Sequence, residues 1–551
     1  MKKMHRILLA AMLLTAAAAS LPATGAERTM KVTDNYLWMP VSHKFDRARM
    51  TISIPGREDM PVNVRIPRDG VPEYYTFLYV EPVKGKKITI TYPDDLKGMD
   101  LIKFAPDIPD ADKIYHEPNR PQLHFTTRRG WINDPNGLVY LDGEYHLFYQ
   151  HNPFERDWEN MTWGHAVSPD LVHWTELPTA LHPDSLGTMF SGSAVIDYDN
   201  TAGYNKGDKP AMVAFYTINS DKKQTQGMAY SLDNGRTFTK YEKNPVIDSA
   251  EKWQSHDTRD PKVFPYKGHW VMAVNERDGH SIYTSDNLRD WTFKSHTTGF
   301  WECPELFALP VDGNEDQKLW VMYGASGTYM LGNFDGDKFT PVSGKHRNAG
   351  GTIYAAQTIN NIPAADGRRI QIGWGRQGHP GELFNGQMLI PTELQLRTTK
   401  DGVRLVSTPI REYEELCTPV GKWSDLSQDA ANKILAQYGN ADTPLRIKCT
   451  IKLSHATDAY LLLNGRRVFD YDMNQTTLNG YHYSPQDPTS MELTVDAFID
   501  RTSTEIFVDG GLFSYSQERD PARNPGELRF GGNRITVESL EIYNVKSIWE
   551  K

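Results

Sequence analysis

The sequence predicts an all-β protein with three parts: a small N-terminal β-sandwich-like domain, a five-bladed β-propeller and a C-terminal β-sandwich. The composition is the first observation, since aromatic residues reach 11% and the 551-residue chain holds 42 Gly and 34 Pro. Such a mixture is typical of strands joined by turns. The second observation is that short alternating apolar runs, such as residues 145–149 and 319–323, dominate over helical periodicity.

The third observation is a weak internal repeat that couples a polar turn to an aromatic residue. It reads SPDLVHW at 168–174, SLDNGRTF at 231–238, TSDNLRDW at 284–291 and, in a shorter form, FDGDKF at 334–339. The aromatic residues that end these segments are 64, 53 and 48 residues apart. These intervals suit four-stranded blades with loops of varied length. Chance similarity among hairpin turns is the alternative. We predict five blades between residues 120 and 410.

The first 26 residues are typical of a secretory signal peptide. Two lysines and an arginine precede a short apolar stretch at 7–18, and Thr-Gly-Ala at 24–26 offers a cleavage site. A membrane anchor is the alternative, but the apolar stretch is too short to span a bilayer, and no other stretch reaches 18 apolar residues. We therefore expect export across the inner membrane, a periplasmic location and no transmembrane segment.

The remaining chain divides into three predicted domains. Residues 27–115 form the accessory β domain, 116–408 the propeller, and 409–551 the C-terminal sandwich after a brief helical turn at 410–416. The strands predicted outside the propeller lie at 49–54, 87–92, 444–453, 459–463, 491–499 and 503–508.

Charge and cysteine content exclude several classes of function. The net charge is −10, and it becomes −13 once residues 1–26 are removed, which disfavours nucleic acid and anionic membranes as partners. The three cysteines, Cys303, Cys417 and Cys449, lack metal-ligand spacing. We expect Cys303 to be a buried free thiol, while pairing of Cys417 with Cys449 stays open. No metal and no organic cofactor is implied, and the sequence does not give the oligomeric state.

Three acidic residues stand in distinctive settings. Asp134 lies in WINDPNG at 131–137, Asp260 in RDP at 259–261, and Glu302 in WECPE at 301–305. They are 126 and 42 residues apart, so separate structural units would bring them together. Pairs of carboxyl groups cleave glycosidic bonds. The alternatives for each residue alone are a turn before Pro, a structural ion pair with Arg259, and an ordinary acid at a strand end.

The order of these motifs resembles that of glycoside hydrolase family 32, the invertases, inulinases and levanases. The resemblance covers residues 120 to about 545, and the extra N-terminal domain lies outside it. The motifs that carry it, in chain order, are WINDPNG at 131–137, FYQ at 148–150, WGHA at 163–166, FSGS at 190–193, RDP at 259–261 and ECP at 302–304, with FIDRTSTEIF at 498–507 as a signature strand of the C-terminal sandwich.

The resemblance implies a retaining mechanism in the propeller, which would be the catalytic domain. Asp134 would be the nucleophile, Glu302 the acid/base, and Asp260 the stabiliser of the transition state. The substrate-binding residues that it implies are Asn133, Gln150, Trp158, Trp163, Phe190, Ser191, Arg259, Tyr354 and Trp374. One departure is Thr352, which stands in GTIYAAQ at 351–357 where many family members carry an acid.

The function we expect is hydrolysis of β-fructosides, with release of fructose from levan, inulin, fructo-oligosaccharides or sucrose. Asn133 before Asp134 and the unlipidated signal favour cleavage from the chain end. The sequence does not rank β-2,6 against β-2,1 linkages. The alternatives are an endo-acting levanase or inulinase, a fructosyltransferase, a five-bladed arabinan- or xylan-active hydrolase, and a catalytically inactive fructan-binding protein.

Overall fold

The structure, a computed structural model, describes residues 25–440, 443–453, 458–487 and 491–550. Its regular secondary structure consists almost entirely of β-strands, as predicted. Residues 1–24, which hold most of the predicted signal peptide, lie outside the described part of the chain. Among the described residues there is no helix long and apolar enough to span a membrane.

The N-terminal domain is a sandwich of two antiparallel sheets. Their apolar faces meet in one core, which includes Leu37, Ile52 and Ile90. The first sheet contains Ala26–Lys31, Lys87–Tyr92, Ala48–Ser53 and Met60–Val64, the second contains Tyr74–Tyr79, Tyr36–Val41 and Lys103–Ala105, and short 3-10 turns lie at Glu81–Val83, Lys97–Leu101 and Ala111–Lys113.

The propeller has five blades, each an antiparallel sheet whose first strand lies innermost. Their strands, blade by blade, are Gly130–Leu141, Glu144–Asn152, Thr162–Ser168 and Thr175–Leu181; Thr188–Asp197, Ala211–Asn219, Gln224–Ser231 and Thr239–Lys240; Thr258–Tyr266, His269–Glu276, Gly279–Ser285 and Thr292–Thr298; Glu305–Val311, Asn314–Tyr323, Thr328–Phe334 and Phe339–Arg347; and Ile353–Thr358, Arg369–Gly375, Thr392–Thr399 and Gly402–Pro409. A short helix, Ala250–Trp253, precedes the third blade, and the two-residue strands Phe384–Asn385 and Gln387–Met388 pair with the first and fifth.

The sequence repeat marks the same connection in four blades, the turn from the third strand to the fourth. In the first blade Asp170 accepts hydrogen bonds from the backbone amides of Val172 and His173, and the indole of Trp174 donates to the Leu171 carbonyl at 3.1 Å. The indole of Trp291 donates to the Leu288 carbonyl at 3.1 Å in the third blade. Short polar side chains stabilise these turns locally, which is why the repeat was visible in the sequence.

The C-terminal sandwich packs two sheets around the largest apolar core. The first sheet contains Ala349–Gly351, Phe513–Glu518, Ser503–Val508, Glu492–Ile499, Leu445–Lys452, Thr536–Val545 and Cys417–Ser427; the second contains Tyr481–His482, Thr477–Leu478, Arg466–Asp472, Asp458–Leu463 and Leu528–Gly532. The predicted helical turn is Glu412–Glu415, and a second helix, Gln428–Leu435, was not predicted. The fold class is thus confirmed, while the domain limits 27–115, 116–408 and 409–551 stay predictions.

The joint between propeller and sandwich contains a buried histidine with two acids. His124 places Nδ1 2.7 Å from Asp500 and Nε2 2.7 Å from Glu505, and none of the three is more than slightly exposed. Hydrogen bonds and charges from the two acids outweigh burial and raise the pKa of His124 to about 9. Both acids belong to FIDRTSTEIF at 498–507, so this motif holds the two domains together.

All three cysteines are unpaired. The thiol of Cys417 lies 3.2 Å from the Tyr413 carbonyl oxygen, and Cys449 is buried in the core of the sandwich. The open question of their pairing is therefore answered in favour of free thiols. Cys303 is also buried, as expected.

Candidate active site

Four of the five innermost strands carry a break in strand pairing where a predicted site residue lies. The register shifts between Ile132 and Pro135, Met189 and Gly192, Arg259 and Lys262, and Tyr354 and Gln357. Such β-bulges turn side chains away from the regular alternation of a strand. The predicted residues of the first, second and third blades, among them Asp134, Ser191 and Asp260, lie within these bulges.

Asp134 is held by two hydrogen bonds from the predicted binding residues. The Ser191 hydroxyl donates to Oδ2 at 2.6 Å, and the Asn133 amide donates to Oδ1 at 3.1 Å. The indole of Trp131 in turn donates to the Asn133 oxygen at 2.8 Å, which fixes the orientation of that amide. Each carboxylate oxygen of Asp134 therefore has one hydrogen-bond donor.

Asp260 and Glu302 both have left-handed backbone conformations. The φ angles are 65° at Asp260, 53° at Glu302 and 44° at Cys303, values that cost energy in residues with a side chain. The Asp260 amide donates to the Thr217 hydroxyl at 2.8 Å, and the Glu302 amide donates to the Asn275 side chain at 2.8 Å. Neighbouring blades thus hold both acids in strained positions, as is common at functional sites.

The carboxylate of Glu302 has a partner on each oxygen. Arg259 donates to Oε1 at 2.7 Å, and the Tyr354 hydroxyl donates to Oε2. Arg259 also pairs with Asp257 and lies 5.1 Å from the centre of the Trp301 ring. Two residues of the predicted set, Arg259 and Tyr354, therefore contact the predicted acid/base directly.

Cys303 joins the three acids. Its thiol lies 3.8 Å from Oδ2 of Asp134 and 3.6 Å from Oδ2 of Asp260, and its amide donates to the same Asp260 oxygen at 3.0 Å. Because Cys303 directly follows Glu302 in the chain, this contact brings all three acids around one small space. We call Asp134, Asp260 and Glu302 the floor of the pocket.

Burial and the charges of neighbouring acids raise the pKa values of Asp134 and Asp260. Burial raises the pKa of Asp134, hydrogen bonds from Ser191 and Asn133 oppose the shift, and the Glu302 charge adds to it. Burial, with the charges of the other two acids, raises the pKa of Asp260 to about 7, although Arg259 opposes the shift. The pKa of the Cys303 thiol is raised well above its usual range by burial, so the thiol stays neutral.

The aromatic residues predicted to bind substrate fall into two groups. Trp158 is 50% exposed and meets the half-buried Phe190 edge to face, with ring centres 6.0 Å apart. Trp163 has no exposed surface and donates its indole hydrogen to the Phe190 carbonyl at 2.9 Å. Trp158 is thus an exposed ring beside Phe190, whereas the buried Trp163 supports Phe190 through its backbone, and the substrate-binding roles of both stay predictions.

A second aromatic group contains Trp374, Trp131 and Tyr354, and it meets the acids through the contact of Tyr354 with Glu302. Trp374 is half-buried, 5.9 Å from Trp131 and 6.4 Å from Tyr354 between ring centres. Gln150 is 2% exposed, and its amide nitrogen has no hydrogen-bond partner within the protein. An unpaired buried donor beside a predicted sugar pocket is suited to a ligand hydroxyl.

Thr352, the departure from the family pattern, faces the C-terminal sandwich. Its hydroxyl donates to the Ser516 hydroxyl at 2.9 Å, and its amide donates to the Ser516 carbonyl at 2.9 Å. Just before it, Ala349–Gly351 pairs with strand Phe513–Glu518 in parallel register. The sandwich therefore fixes the segment that leads to Tyr354.

Among the described residues, one cluster has the spacing of a metal site, and it contains none of the three acids. His43, Glu155 and Asp157 place one ligand atom each within 4.8 Å of one another. The guanidinium groups of Arg47 and Arg65 already contact its acids. The expectation that the protein needs no metal or organic cofactor stays a prediction.

The chain matches one family model and is similar to several known enzymes. The family model described as glycosyl hydrolases family 32, N-terminal domain, matches residues 124–409. The levanase of Bacillus subtilis is 38% identical over an alignment of 500 residues. The alignment covers 81% of this chain and 73% of the levanase. The chain belongs to glycoside hydrolase family 32. The resemblance seen in the motifs is thereby confirmed, and the protein is a glycoside hydrolase.

Two further family 32 relatives extend the match. The extracellular exo-inulinase of Aspergillus niger is 31% identical over 519 residues, covering 79% of this chain and 96% of that enzyme. The crystal structure of an exo-inulinase from Aspergillus awamori superimposes with a TM-score of 0.69 at 28% identity, and covers 79% of this chain and all of that one. The family fold therefore extends over most of the chain.

Sequence reasoning missed five residues that the geometry brings to the acids. Trp131, Trp301 and Cys303 contact Asn133, Arg259 and Asp260 respectively, while Asn275 and Thr217 accept from the backbone amides of Glu302 and Asp260. Three of them stand inside or beside the motifs and could have been found there. Asn275 comes from the second strand of the third blade, and no local signal marks it.

Proposed function

We propose that this family 32 enzyme is a retaining β-fructosidase that releases fructose from the ends of fructan chains. Asp134 is its nucleophile, Glu302 its acid/base and Asp260 its transition-state stabiliser. The observation that carries the proposal is the convergence of the three acids on Cys303. Retaining glycosidases need two carboxyl groups close together on opposite sides of one bond.

The first step forms a fructosyl-enzyme. Asp134 attacks the anomeric carbon of the terminal fructose, and Glu302 gives a proton to the departing glycosidic oxygen. The bonds from Ser191 and Asn133 hold the Asp134 carboxylate for this attack. The leaving group is the shortened fructan, or glucose when sucrose is the substrate.

The second step returns the enzyme to its starting state. Glu302, now ionised, takes a proton from water, and the hydroxide attacks the same carbon and releases Asp134. Arg259 and Tyr354 keep the Glu302 side chain in place through both steps. Since the carbon is inverted twice, the product retains the β configuration.

Recognition of the fructosyl group falls to Asp260, the buried amide of Gln150 and the aromatic walls. Asp260 accepts hydrogen bonds from ring hydroxyls, which strengthen as positive charge develops on the sugar. Trp374 and Trp158 offer ring faces to the C–H surface of the sugar. The substrates named for the relatives, levan and inulin, support fructans as the substrate class.

Export to the periplasm completes the proposal. The basic and apolar pattern of the first 26 residues supports it, as does the extracellular location named for a fungal relative. An exo-acting enzyme there would degrade imported fructo-oligosaccharides.

The test is a time course of products from levan, inulin and sucrose. We expect free fructose from the first time point and a β-anomer in early NMR spectra. Asp134→Asn should lower kcat by about 10⁴-fold or more, whereas Asp142→Asn, an exposed aspartate at the tip of the same blade, should not. Oligosaccharides among the early products would indicate endo cleavage instead of exo cleavage. Chain growth that depends on sucrose would indicate a transferase. The absence of release from any fructan would refute the proposal.

A further inference from the structure

The N-terminal domain, to which the family resemblance assigns no role, holds one loop of the first blade. We call the set of hydrogen bonds and ion pairs between them the grip. This loop, residues 153–160, joins the second and third strands of that blade and is called the rim loop below. Trp158 stands within it, 50% exposed and against Phe190. Phe190 directly precedes Ser191, which donates to Asp134. The loop is therefore the link between the accessory domain and the pocket.

Buried charges form the centre of this grip. The Glu155 side chain has no exposed surface. Its Oε1 accepts from the Arg65 amide at 2.7 Å, and its Oε2 accepts from Nε of Arg47 at 2.9 Å and contacts the Arg65 guanidinium. Arg65 also donates to Asp157 at 2.8 Å. An acid buried this completely is costly without such partners, so the loop depends on the accessory domain.

Neutral contacts reinforce the charged ones. Asn160 and Asn63 exchange two hydrogen bonds, of 2.7 and 2.9 Å, between side chain and backbone. The Thr76 hydroxyl donates to the Pro153 carbonyl at 2.8 Å, and the Phe154 ring, 1% exposed, is part of the core of the N-terminal domain. One face of the rim loop thus belongs to the accessory domain.

The propeller holds the loop from the opposite side. The side-chain amide of Asn152 donates to the Asp157 carbonyl at 2.8 Å, and the side-chain amide of Asn385 donates to the Arg156 carbonyl at 3.0 Å. Trp158 directly follows these two contact points in the chain, and Asn160, which bonds Asn63, lies two residues after it. The position of Trp158 is set by contacts from both domains, while its own ring remains free to meet a ligand.

We propose that the N-terminal domain is a positioning element for substrate binding: Arg47 and Arg65 hold the rim loop so that Trp158 completes the pocket wall beside Phe190. Neither arginine contacts the floor acids Asp134, Asp260 and Glu302, and neither would contact the substrate. The domain therefore sets the affinity for the sugar and leaves the chemical step to the floor. This inference rests on the proposed function only for its kinetic consequence.

The first measurement compares Arg47→Gln and the double variant Arg47→Gln/Arg65→Gln with wild type on a short fructo-oligosaccharide. KM should rise, by about three- to tenfold in the double variant, because an aromatic contact at the sugar is loosened. The kcat should stay within about twofold, since the floor is intact. Arg68→Gln is the matched control, because Arg68 lies in the same domain but makes only an exposed, long ion pair with Asp95.

A mutant cycle with Trp158→Ala tests whether the arginines act through this tryptophan. If they do, the KM of Trp158→Ala should be unchanged, within error, when the arginine substitutions are added. Additive increases in KM would overturn the inference and indicate that the N-terminal domain binds glycan by itself. An unchanged KM in the double arginine variant, with a raised KM in Trp158→Ala, would overturn it as well.

Hydrogen exchange of the ligand-free protein separates this inference from the proposed function. Peptides that cover residues 153–160 should exchange faster in the double variant, with peptides of the propeller blades unchanged. Equal protection in wild type and variant would refute the grip even if the enzyme releases fructose. Conversely, faster exchange would support it even if fructans are not the substrate. Arg47→Gln, the milder change, keeps the test decisive if the double variant fails to fold.

Discussion

The floor of the pocket and its edge are held by different parts of the chain. Hydrogen bonds from within the propeller fix the three acids, through Ser191, Thr217 and Asn275. The edge depends on the flanking domains, since Arg65 grips the rim loop and Ser516 grips the segment before Tyr354. From the proposed roles of these residues, we expect the chemical step and the fit to the substrate to respond to different substitutions.

The two flanking domains also differ from each other in how they grip. The N-terminal domain uses buried ion pairs at Glu155, whereas the C-terminal sandwich extends one of its sheets with Ala349–Gly351 from the propeller. Backbone pairing depends little on side-chain identity, while a buried acid needs particular partners. Single substitutions should therefore loosen the N-terminal grip more readily than the C-terminal one.

The largest expected effect is on the floor. Glu302→Gln removes the proton donor and should lower kcat on fructans by about 10²- to 10⁴-fold. The loss in the first step should be much smaller with an aryl fructoside whose leaving group needs no proton. Steady-state and burst kinetics on both substrates check this, with the exposed Glu315→Gln of the fourth blade as control. Equal losses on both substrates would contradict the acid role.

The joint to the sandwich should affect stability and leave the floor unaffected. His124→Asn removes one member of a buried charged group and should cost about 3 kcal/mol of the free energy of unfolding. His173→Asn breaks a half-exposed pair with Asp170 and should cost less than about 1 kcal/mol. Denaturant unfolding measures both. A fall in kcat of folded His124→Asn would show that the floor depends on the sandwich after all.

This cost should vary with pH in a stated direction. The pKa of folded His124 is raised to about 9, so its contribution is complete below the unfolded value of 6.5 and is lost as pH rises through 9. The pKa of Asp500 is lowered by His124 and by amide hydrogen bonds against burial, so its contribution is present above 3.8 and is lost in acid. The difference between wild type and His124→Asn should be largest between pH 4 and 6.5.

Tyr354 lies at the boundary between floor and edge. Tyr354→Phe removes the hydroxyl that donates to Glu302 and should lower kcat about tenfold, because a hydrogen bond to a charged group is lost. Tyr198→Phe, which loses a surface bond with Asn361, is the control. Kinetics on one fructo-oligosaccharide distinguish the outcomes. A rise in KM alone would place Tyr354 with the edge instead of the floor.

The last prediction concerns the electrostatic cost of burying the Asp260 carboxylate in the floor. The pKa of folded Asp260 is raised to about 7 from 3.8, so the folded state is penalised increasingly as pH rises from 4 to 7 and fully above it. Asp260→Asn should thus be more stable than wild type at pH 8 and no more stable below pH 4, while activity falls. Asp500→Asn should show the opposite sign, because the pKa of that buried acid is lowered. Thermal melting across pH decides between them.

Local patterns in the chain were enough to predict the motifs, the repeat and the class of fold. The turns at 168–174 and 284–291 are built from hydrogen bonds between near neighbours, so their composition was enough to predict them. The helix Gln428–Leu435 was missed, although Ser427 caps it by accepting from the Ala430 amide. The three acids were predicted because each stands in its own short motif.

How these parts meet depends on contacts between residues that lie far apart in the chain. The bulges at Asp134 and Asp260 depend on pairing with the second strand of each blade, and the support of Glu302 by Asn275 joins residues 27 apart. The grip of Arg65 on Glu155 spans 90 residues and two domains. A contact of this kind leaves no local pattern, because each residue alone satisfies no rule of turn, strand or motif. Burial and charge pairing, which exist only once the chain has folded, selected it.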